Sequence, residues 1–536
     1  MKLTDNLQEN TLVWEKAGFQ LPLYNRDKAG EETRKNPQWI HFGAGNIFRA
    51  FPAAVHQSLL DKGLVKTGII VAEAFDYEII DKAYKPYNDL SLLIVLKANG
   101  TIEKKVIGSV VESLKADSSS VDWLRLQEIF TSPSLQMASF TITEKGYSLK
   151  NAQGCFSADV EHDFENGPAR PKNIMAKLAS LCLLRFNKGA HPLALVSMDN
   201  CSHNGTKLFE AVHTIAEKWV ENGFCPKSFI SYLENPETVS FPWSMIDKIT
   251  PRPDDDVKAQ LERDGFEDTS IIITDKNTYT APFVNAEEAQ YLVIEDAFPN
   301  GRPPLDKGGV IFTSRDTVDK VERMKVCTCL NPLHTSLAVY GCLLGYTSIH
   351  KEMHDKELTS LIHKIGYDEG LPVVVNPGII KPEDFIHEVI TVRLPNPFMP
   401  DTPQRIACDT SQKLPIRFGQ TIKAYMNSVD LDVKSLFFIP LVFAGWLRYL
   451  MGLDDQGVSF TPSPDPLLAE VQKFTAGISL GDTGPFHDKL KGLLSNEKIF
   501  GVNLYDAGLG EKIESLFTEL IAGKGAVRNT LVKYLS

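Results

Sequence analysis

The sequence predicts an α/β protein: a largely parallel sheet built around a glycine turn near the N-terminus, followed by a mainly α-helical C-terminal part. Three observations carry this. Apolar strand-like runs alternate with helical periodicity before residue 310, which favours parallel strands joined by helices. The first run ends in glycines, in IHFGAGNIFRAF at 40–51. Beyond the proline- and glycine-rich stretch FPNGRPPLDKGG at 298–309, the periodicity becomes helical. At 536 residues the chain exceeds the size at which one core stops growing, so two domains are expected, 1–310 and 311–536.

The elements come in order. QWIHFG at 38–43 is a short apolar run closed by glycine, and residues 46–62 place Ile47, Ala50, Phe51, Ala54, Leu59 and Leu60 at helical spacing. GIIVAEA at 68–74 supplies the second strand of a β-α-β unit. Met137–Thr143 and Pro192–Ser197 read as later strands, the latter leading into a helix over Gly205–Val220. In such sheets functional side chains collect beyond the carboxyl ends of the strands, which is where Gly43, Glu144, Lys145, Asp199 and Asn200 would stand. In the C-terminal part helices are expected over 332–346, 352–366, 383–392, 413–427, 432–453, 464–476 and 510–523.

Composition narrows the partners. A net charge of −12 gives no basic field for nucleic acid or anionic membrane, and a small diffusible ligand fits better. The start MKLTDNLQEN lacks a signal-peptide apolar core; the longest apolar run, Leu436–Leu447, contains Pro440 and reads as a buried helix rather than a membrane span. Eight scattered cysteines without a CxxC argue against a disulfide framework or zinc knuckle and suit a reducing cytoplasm.

Two stretches could carry chemistry. Gly43 and Gly45 have the spacing of the first two glycines of GxGxxG, but Phe48 takes the third place. A glycine loop at a helix N-terminus lets a pyrophosphate approach unpaired amides; a plain tight turn is the other reading. Glu73, Asp76 and Glu78 lie at the end of the second strand, where an acid can accept ribose hydroxyls and repel the extra phosphate of NADP. Asp76 is preferred, with Glu73 close behind. The second stretch is KVERMKVCTCLNPLHTSLAVYGCLLGY at 320–346. Asn331 before Pro332 marks a helix start, with His334 one turn on. A buried lysine can act as a base, and a carboxamide can hold a developing alkoxide. The same segment also fits a surface Lys325, a capping Asn331 and a core His334.

The chain resembles the polyol-specific long-chain dehydrogenase/reductase family, whose members act on mannitol, fructuronate and tagaturonate. The resemblance runs from about residue 38 to 450. It is carried by the glycine turn (similar to GxGxFxRA), TITEKGY at 141–147, SMDN at 197–200, SFPWSMIDKITP at 240–251, and RLPNP at 393–397 followed by Asp401, Arg405, Asp409 and Lys413. It implies an expanded Rossmann domain with a mainly helical C-terminal domain, the substrate between them, NAD as cofactor and no metal. By resemblance Lys325 is the general base or acid, Asn200 and Asn331 hold the alcohol or carbonyl oxygen, and His334 orients the substrate. Asp247, Arg393 and Asn396 would line the substrate pocket. Gly43, Gly45, Asn46, Phe48, Glu73, Asp76, Glu144 and Lys145 would line the cofactor site. The substrate implied is a sugar acid, D-mannonate with D-fructuronate, ahead of tagaturonate or a polyol such as mannitol; the resemblance allows a monomer.

One departure stands out. The family pattern places four residues between lysine and asparagine, whereas KVCTCLN places five. On an unbroken helix Lys325 and His334 would then lie about 180° apart, so a bulge near 326–332 is expected to absorb the extra residue. Two other readings stay open: a metal hydrolase using His350 and His354 of HKEMH, which lacks the HExxH glutamate, and a non-catalytic sugar or nucleotide sensor on the same fold.

Overall fold

The computed structural model describes residues 1–4, 7 and 9–536. Three positions of the N-terminal stretch read for a leader, 5, 6 and 8, lie outside the described residues. The chain divides into two compact units, Met1–Lys97 with Thr101–Asp319, and Ala98–Gly100 with Lys320–Ser536.

The first unit is organised by six parallel strands: β1 (Trp39–Phe42), β2 (Ile69–Glu73), β3 (Val110–Lys115), β4 (Met137–Phe140), β5 (Leu193–Ser197) and β6 (Val239–Ser240). Their order across the sheet is β3-β2-β1-β4-β5-β6. This is the arrangement of dinucleotide-binding sheets, in which the strand order reverses beside β1 and leaves a crevice between the ends of β1 and β4. β1, β2, β4 and β5 are buried along their whole length because helices cover both faces, which is why they read as continuous apolar runs. Alternate residues feed two cores. Ile40, Phe42, Ile70, Ala138 and Leu195 enter one; Trp39, Val71, Met137, Ala194 and Val196 enter the other.

Three further sheets were not foreseen from the sequence. One has four strands, Phe19–Gln20, Ile102–Ile107, Ser91–Leu96 and Phe283–Glu287, one has three, Ser244–Asp247, Tyr291–Glu295 and Ile311–Thr313, and one has two, Ile272–Ile273 and Tyr279–Thr280. The expected helix over 46–62 is two helices, Asn46–Ala50 and Pro52–Asp61. Phe51 (φ −127°, ψ −75°) breaks it, because Pro52 has no amide with which to continue the ladder.

The second unit is mainly helical. Helix Asn331–Leu344 and helix Phe438–Leu450 are buried on nearly every residue, and they pack closely at Gly445. A Cβ there would come within 2.7 Å of the Tyr340 ring, whose hydroxyl donates to the Leu441 carbonyl at 2.7 Å. The second helix starts on an acid: Glu369 accepts the amides of Phe437, Phe438 and Ile439 at 2.5–2.7 Å. Among the described residues no helix is long and apolar enough to cross a membrane. The helix expected over 464–476 shrinks to Leu468–Val471 and one 3-10 turn, since Pro462, Pro464 and Pro466 hold the approach extended. Helices His487–Leu494 and Ala526–Leu535 were not anticipated. Three π-helical segments interrupt the unit, Lys325–Cys329, Lys364–Gly370 and Val389–Arg393.

Candidate active site

In the first unit the ends of β1, β2 and β4 meet at the glycine turn. Gly43 has φ +105°, and a Cβ on it would lie 2.2 Å from the Thr141 carbonyl oxygen, so only glycine lets these strand ends come so close. Gly45 differs: it is the N-cap of helix Asn46–Ala50 with φ −79°, and nothing lies within 4 Å of where its Cβ would be. Open space therefore faces the first amides of that helix, a cradle open to an anion.

Glu73, 6% exposed, binds the turn together. Its Oε2 accepts the Ala44 amide at 2.8 Å, and its Oε1 accepts the amides of Ala74, Phe75 and Asp76 at 3.0, 2.8 and 3.1 Å. The sequence favoured Asp76 as the acid presented to a ribose, but Asp76 is 2% exposed and its Oδ2 accepts the Thr274 hydroxyl at 2.6 Å. Of the two, Glu73 is the one that touches the glycine turn. Phe48, expected to line the cofactor site, has its ring in the core. Its ring is fully buried, stacked on His41 at 4.0 Å, so only its first-turn amide stays available to a ligand. Asn46 accepts from the buried Arg49, which donates also to the Ala281 carbonyl and to Thr280. Phe48 and Arg49 of the motif thus seat the helix that carries the cradle.

The β4 and β5 ends are joined by a residue that the sequence places at a strand end, where functional side chains collect. Asp199 of SMDN accepts the amides of Ile142 and Thr143, both at 2.9 Å, and the Tyr147 hydroxyl at 2.5 Å. Burial pushes its carboxyl pKa upward, while Tyr147 and the two amides pull it back. One carboxylate therefore shapes the whole TITEKGY loop. Glu144 and Lys145 are exposed on that loop, Glu144 paired with Lys207. Asn200 follows Asp199 and is exposed. Asn204, fully buried, donates to the carbonyls of Asp199 and Ser244 at 3.0 and 2.9 Å and so ties the β5 end to the strand that finishes in the buried Asp247.

In the second unit Lys325 is 4% exposed and opens a π-helical turn, closed by the Leu330 amide donating to the Lys325 carbonyl at 3.1 Å. That turn takes up the extra residue of KVCTCLN. Such turns hold one residue more than an α-turn and rotate the helix before them relative to the helix after them. Asn331 is not the cap of the next helix: Leu330 holds that place, and no side chain caps it. The Asn331 carboxamide makes no hydrogen bond to a described residue, which leaves it available for a ligand oxygen.

His334, one turn on, stands 3.5 Å from the Asp401 Oδ2, long for a hydrogen bond. Burial, reinforced by the charges of Arg417, Arg405, Arg393 and Lys413, lowers its pKa to about 3, so the ring is neutral. Arg393 ends another π segment and is buried, as is Asn396, whose Oδ1 accepts the Phe398 amide at 3.0 Å. Arg417 was overlooked in the sequence. It lies four residues after Lys413 on helix Thr410–Arg417, a spacing that puts both on one face. His350, by contrast, pairs with the Pro395 carbonyl at 2.6 Å, and His354 with the His350 carbonyl at 3.0 Å. A cavity of about 860 Å³ lies by helix Pro52–Asp61 and strand Ile102–Ile107 and is lined by none of these residues.

Residues 37–307 match the mannitol dehydrogenase Rossmann domain and residues 317–521 the mannitol dehydrogenase C-terminal domain. The chain belongs to the mannitol dehydrogenase family. It is 54% identical to the D-mannonate oxidoreductase of Thermotoga maritima, over 99% of this chain and 98% of that one. A polyol:NADP oxidoreductase of Gluconobacter oxydans is 27% identical, over 85% of this chain and 87% of its own. Among solved structures, the Pseudomonas fluorescens mannitol 2-dehydrogenase, in ternary complex with NAD and D-mannitol, is 26% identical, with a TM-score of 0.67 and 97% coverage of both chains. As a member of the mannitol dehydrogenase family the protein is a dehydrogenase acting on a CH–OH group, with a Rossmann-type N-terminal domain and a helical C-terminal domain. Membership sets aside the hydrolase and sensor readings.

Proposed function

We propose that the protein is an NAD-linked oxidoreductase that interconverts D-mannonate and D-fructuronate, with Lys325 exchanging the proton. The observation that carries the substrate is the full-length relationship, at 54% identity, to a D-mannonate oxidoreductase. The cationic side chains acting on His334 are its physical counterpart, since a sugar acid brings a negative charge that a polyol lacks.

The residues present fit a dinucleotide. Gly43 and Gly45 bring backbone to the pyrophosphate, the amides of Asn46 and Phe48 face it, and Glu73 fixes the turn that presents them. Lys145 and Glu144 stand on the loop that Asp199 shapes. NAD, when bound, supplies the hydride acceptor. Acid at the strand end favours it over NADP.

In the oxidative direction the neutral amine of Lys325 accepts the proton of the substrate hydroxyl. The Asn331 carboxamide donates to the oxygen as negative charge develops there, and Asn200 carries the second carboxamide that the S-x-D-N motif implies. His334, uncharged, can both donate to and accept from substrate hydroxyls and so fixes the face presented. Reduction reverses each step, Lys325 then giving its proton to the forming alkoxide. Asp247, Arg393 and Asn396 are assigned to the substrate's remaining groups. All eight cysteines are free thiols, which suits a reducing, cytoplasmic compartment.

The test is the oxidation of NADH, followed by absorbance, with D-fructuronate, D-tagaturonate and D-fructose, repeated with NADPH. The proposal expects the highest kcat/KM for D-fructuronate with NADH. A preference for D-fructose or D-tagaturonate would replace the substrate, and a preference for NADPH the cofactor.

A further inference from the structure

Arg417 ends helix Thr410–Arg417 in the second unit and is partly buried. Its Nη1 donates to the Thr335 hydroxyl at 2.5 Å, and that hydroxyl donates to the Asn331 carbonyl at 2.8 Å. The guanidinium is thereby held against the turn that carries Asn331 and His334. A guanidinium has five N–H donors, and here one is used.

Among the described residues no carboxylate forms an ion pair with Arg417. The acids nearby are engaged elsewhere: Asp401 pairs with Arg405, and Asp465 accepts the amide and hydroxyl of Ser411. Lys413, one turn earlier, adds a like charge, although its own Nζ donates to the carbonyls of Ile406 and Cys408. Desolvation accordingly draws the Arg417 pKa down to about 10, the response of a cation that burial disfavours. Buried charges in proteins are ordinarily paired, and leaving one unpaired is strongly destabilising. A polyol would leave this charge as it is, whereas a planar carboxylate could take two parallel N–H···O bonds from it.

We propose that Arg417 is the specificity-determining residue for the sugar acid, its guanidinium receiving the substrate carboxylate beside the turn that bears Asn331 and His334. The inference rests on the D-fructuronate reading above. Lys413 and Arg405 deepen the positive field, Arg405 paired with Asp401 and Lys413 resting on two carbonyls; the Arg417 guanidinium, bonded to the Thr335 hydroxyl, has no carboxylate against it among the described residues.

The experiment compares wild type, Arg417→Met and Arg417→Lys, with NADH and either D-fructuronate or D-fructose, and records thermal melting without substrate. Losing charge-assisted bonds to the carboxylate should raise the KM for D-fructuronate about 10- to 100-fold in R417M and lower the fructuronate-to-fructose ratio of kcat/KM by a similar factor. R417K should fall between, since an ammonium keeps the charge without the fork. NADH affinity should stay within about twofold, as Arg417 belongs to neither the glycine turn nor its supports. The melting temperature of R417M should equal or exceed that of wild type, because an uncompensated charge has been replaced by an apolar chain of similar length. An unchanged KM for D-fructuronate overturns the inference. So does an equal loss on both substrates, or an R417M that melts lower or does not fold, each of which marks a structural role. Wild-type enzyme inert toward D-fructuronate but active on D-fructose would sink the substrate reading and this inference with it; wild type active and R417M unaltered sinks the inference alone.

Discussion

The Glu73 carboxylate and the Ala44 amide meet at 2.8 Å, joining the end of β2 to the glycine turn at the end of β1. Glu73 also receives three amides of its own strand end, so a single buried acid organises both loops that border the crevice. Glu73→Ala should therefore orphan four backbone donors and destabilise the protein by about 3 kcal/mol in urea unfolding, with a raised KM for NAD. Asp76→Asn should leave the KM for NAD nearly unchanged, since an amide oxygen can still accept from Thr274. A large NAD defect in Asp76→Asn with none in Glu73→Ala would reverse the assignment.

Gly43 and Gly45 should separate folding from binding. Gly43→Ala puts a Cβ 2.2 Å from the Thr141 carbonyl at φ +105°, and the variant should lose at least about 3 kcal/mol or fail to accumulate as folded protein. At Gly45 the backbone is already extended and the space is open. Gly45→Ala should unfold within about 0.5 kcal/mol of wild type while NADH affinity, titrated by its fluorescence, falls roughly tenfold or more, because the methyl enters the cradle. Equal NADH affinity in Gly45→Ala and wild type would show that the pyrophosphate binds elsewhere.

How far the sequence discloses the fold and the site depends on the range of each interaction. The β1 turn was legible because Gly43 and Gly45 are local signals, and β1, β2, β4 and β5 because burial on both faces leaves continuous apolar runs. The hairpin Ser91–Leu96 with Ile102–Ile107 was missed although Asn99 and Gly100 mark its turn; the charged run Glu103–Lys105 masked a strand whose side chains partly face water. No spacing rule could say which strand-end acid turns inward, since Thr274, which holds Asp76, is 198 residues away. Arg417 looked like an ordinary basic residue in a last helical turn. Its significance lies in having no carboxylate against it among the described residues, which local sequence does not disclose. Conversely, the mismatch between Lys325 and Asn331 was visible as a count, and the π turn at Lys325–Cys329 gives it a backbone form.

That π turn buries the Lys325 side chain just ahead of Asn331. Lys325→Ala should reduce kcat for D-fructuronate reduction by roughly a thousandfold or more, the scale of a lost general acid, with NADH affinity within about twofold of wild type. Asn331→Ala should lower kcat about a hundredfold, in line with loss of one oxygen-stabilising donor, and Asn331→Asp should do no better because an acceptor replaces the donor. Near-normal turnover in Lys325→Ala, measured at saturating NADH, would remove the amine from the proton transfer.

His334 makes the acid side of the stability profile a test of its environment. Its folded pKa is lowered to about 3, by burial first and then by the surrounding cations, whereas an unfolded imidazole titrates near 6.5. The unfolded chain therefore binds a proton that the folded one refuses, so the stabilisation is fully present above about pH 6.5 and is lost progressively as pH falls toward 3. His41 and His56 in the first unit, lowered to about 3 and about 4 by burial, act with the same sign. His334→Asn removes its own contribution and leaves the others in place. Between pH 7 and 4.5 wild type should lose about 2 kcal/mol more than His334→Asn in urea unfolding, discounted for partial exposure of the ring. Because the imidazole stays neutral through that range, it should add no limb near pH 6.5 to the pH profile of kcat/KM. Identical pH slopes for wild type and His334→Asn would mean that the cations do not press on this ring as the geometry implies.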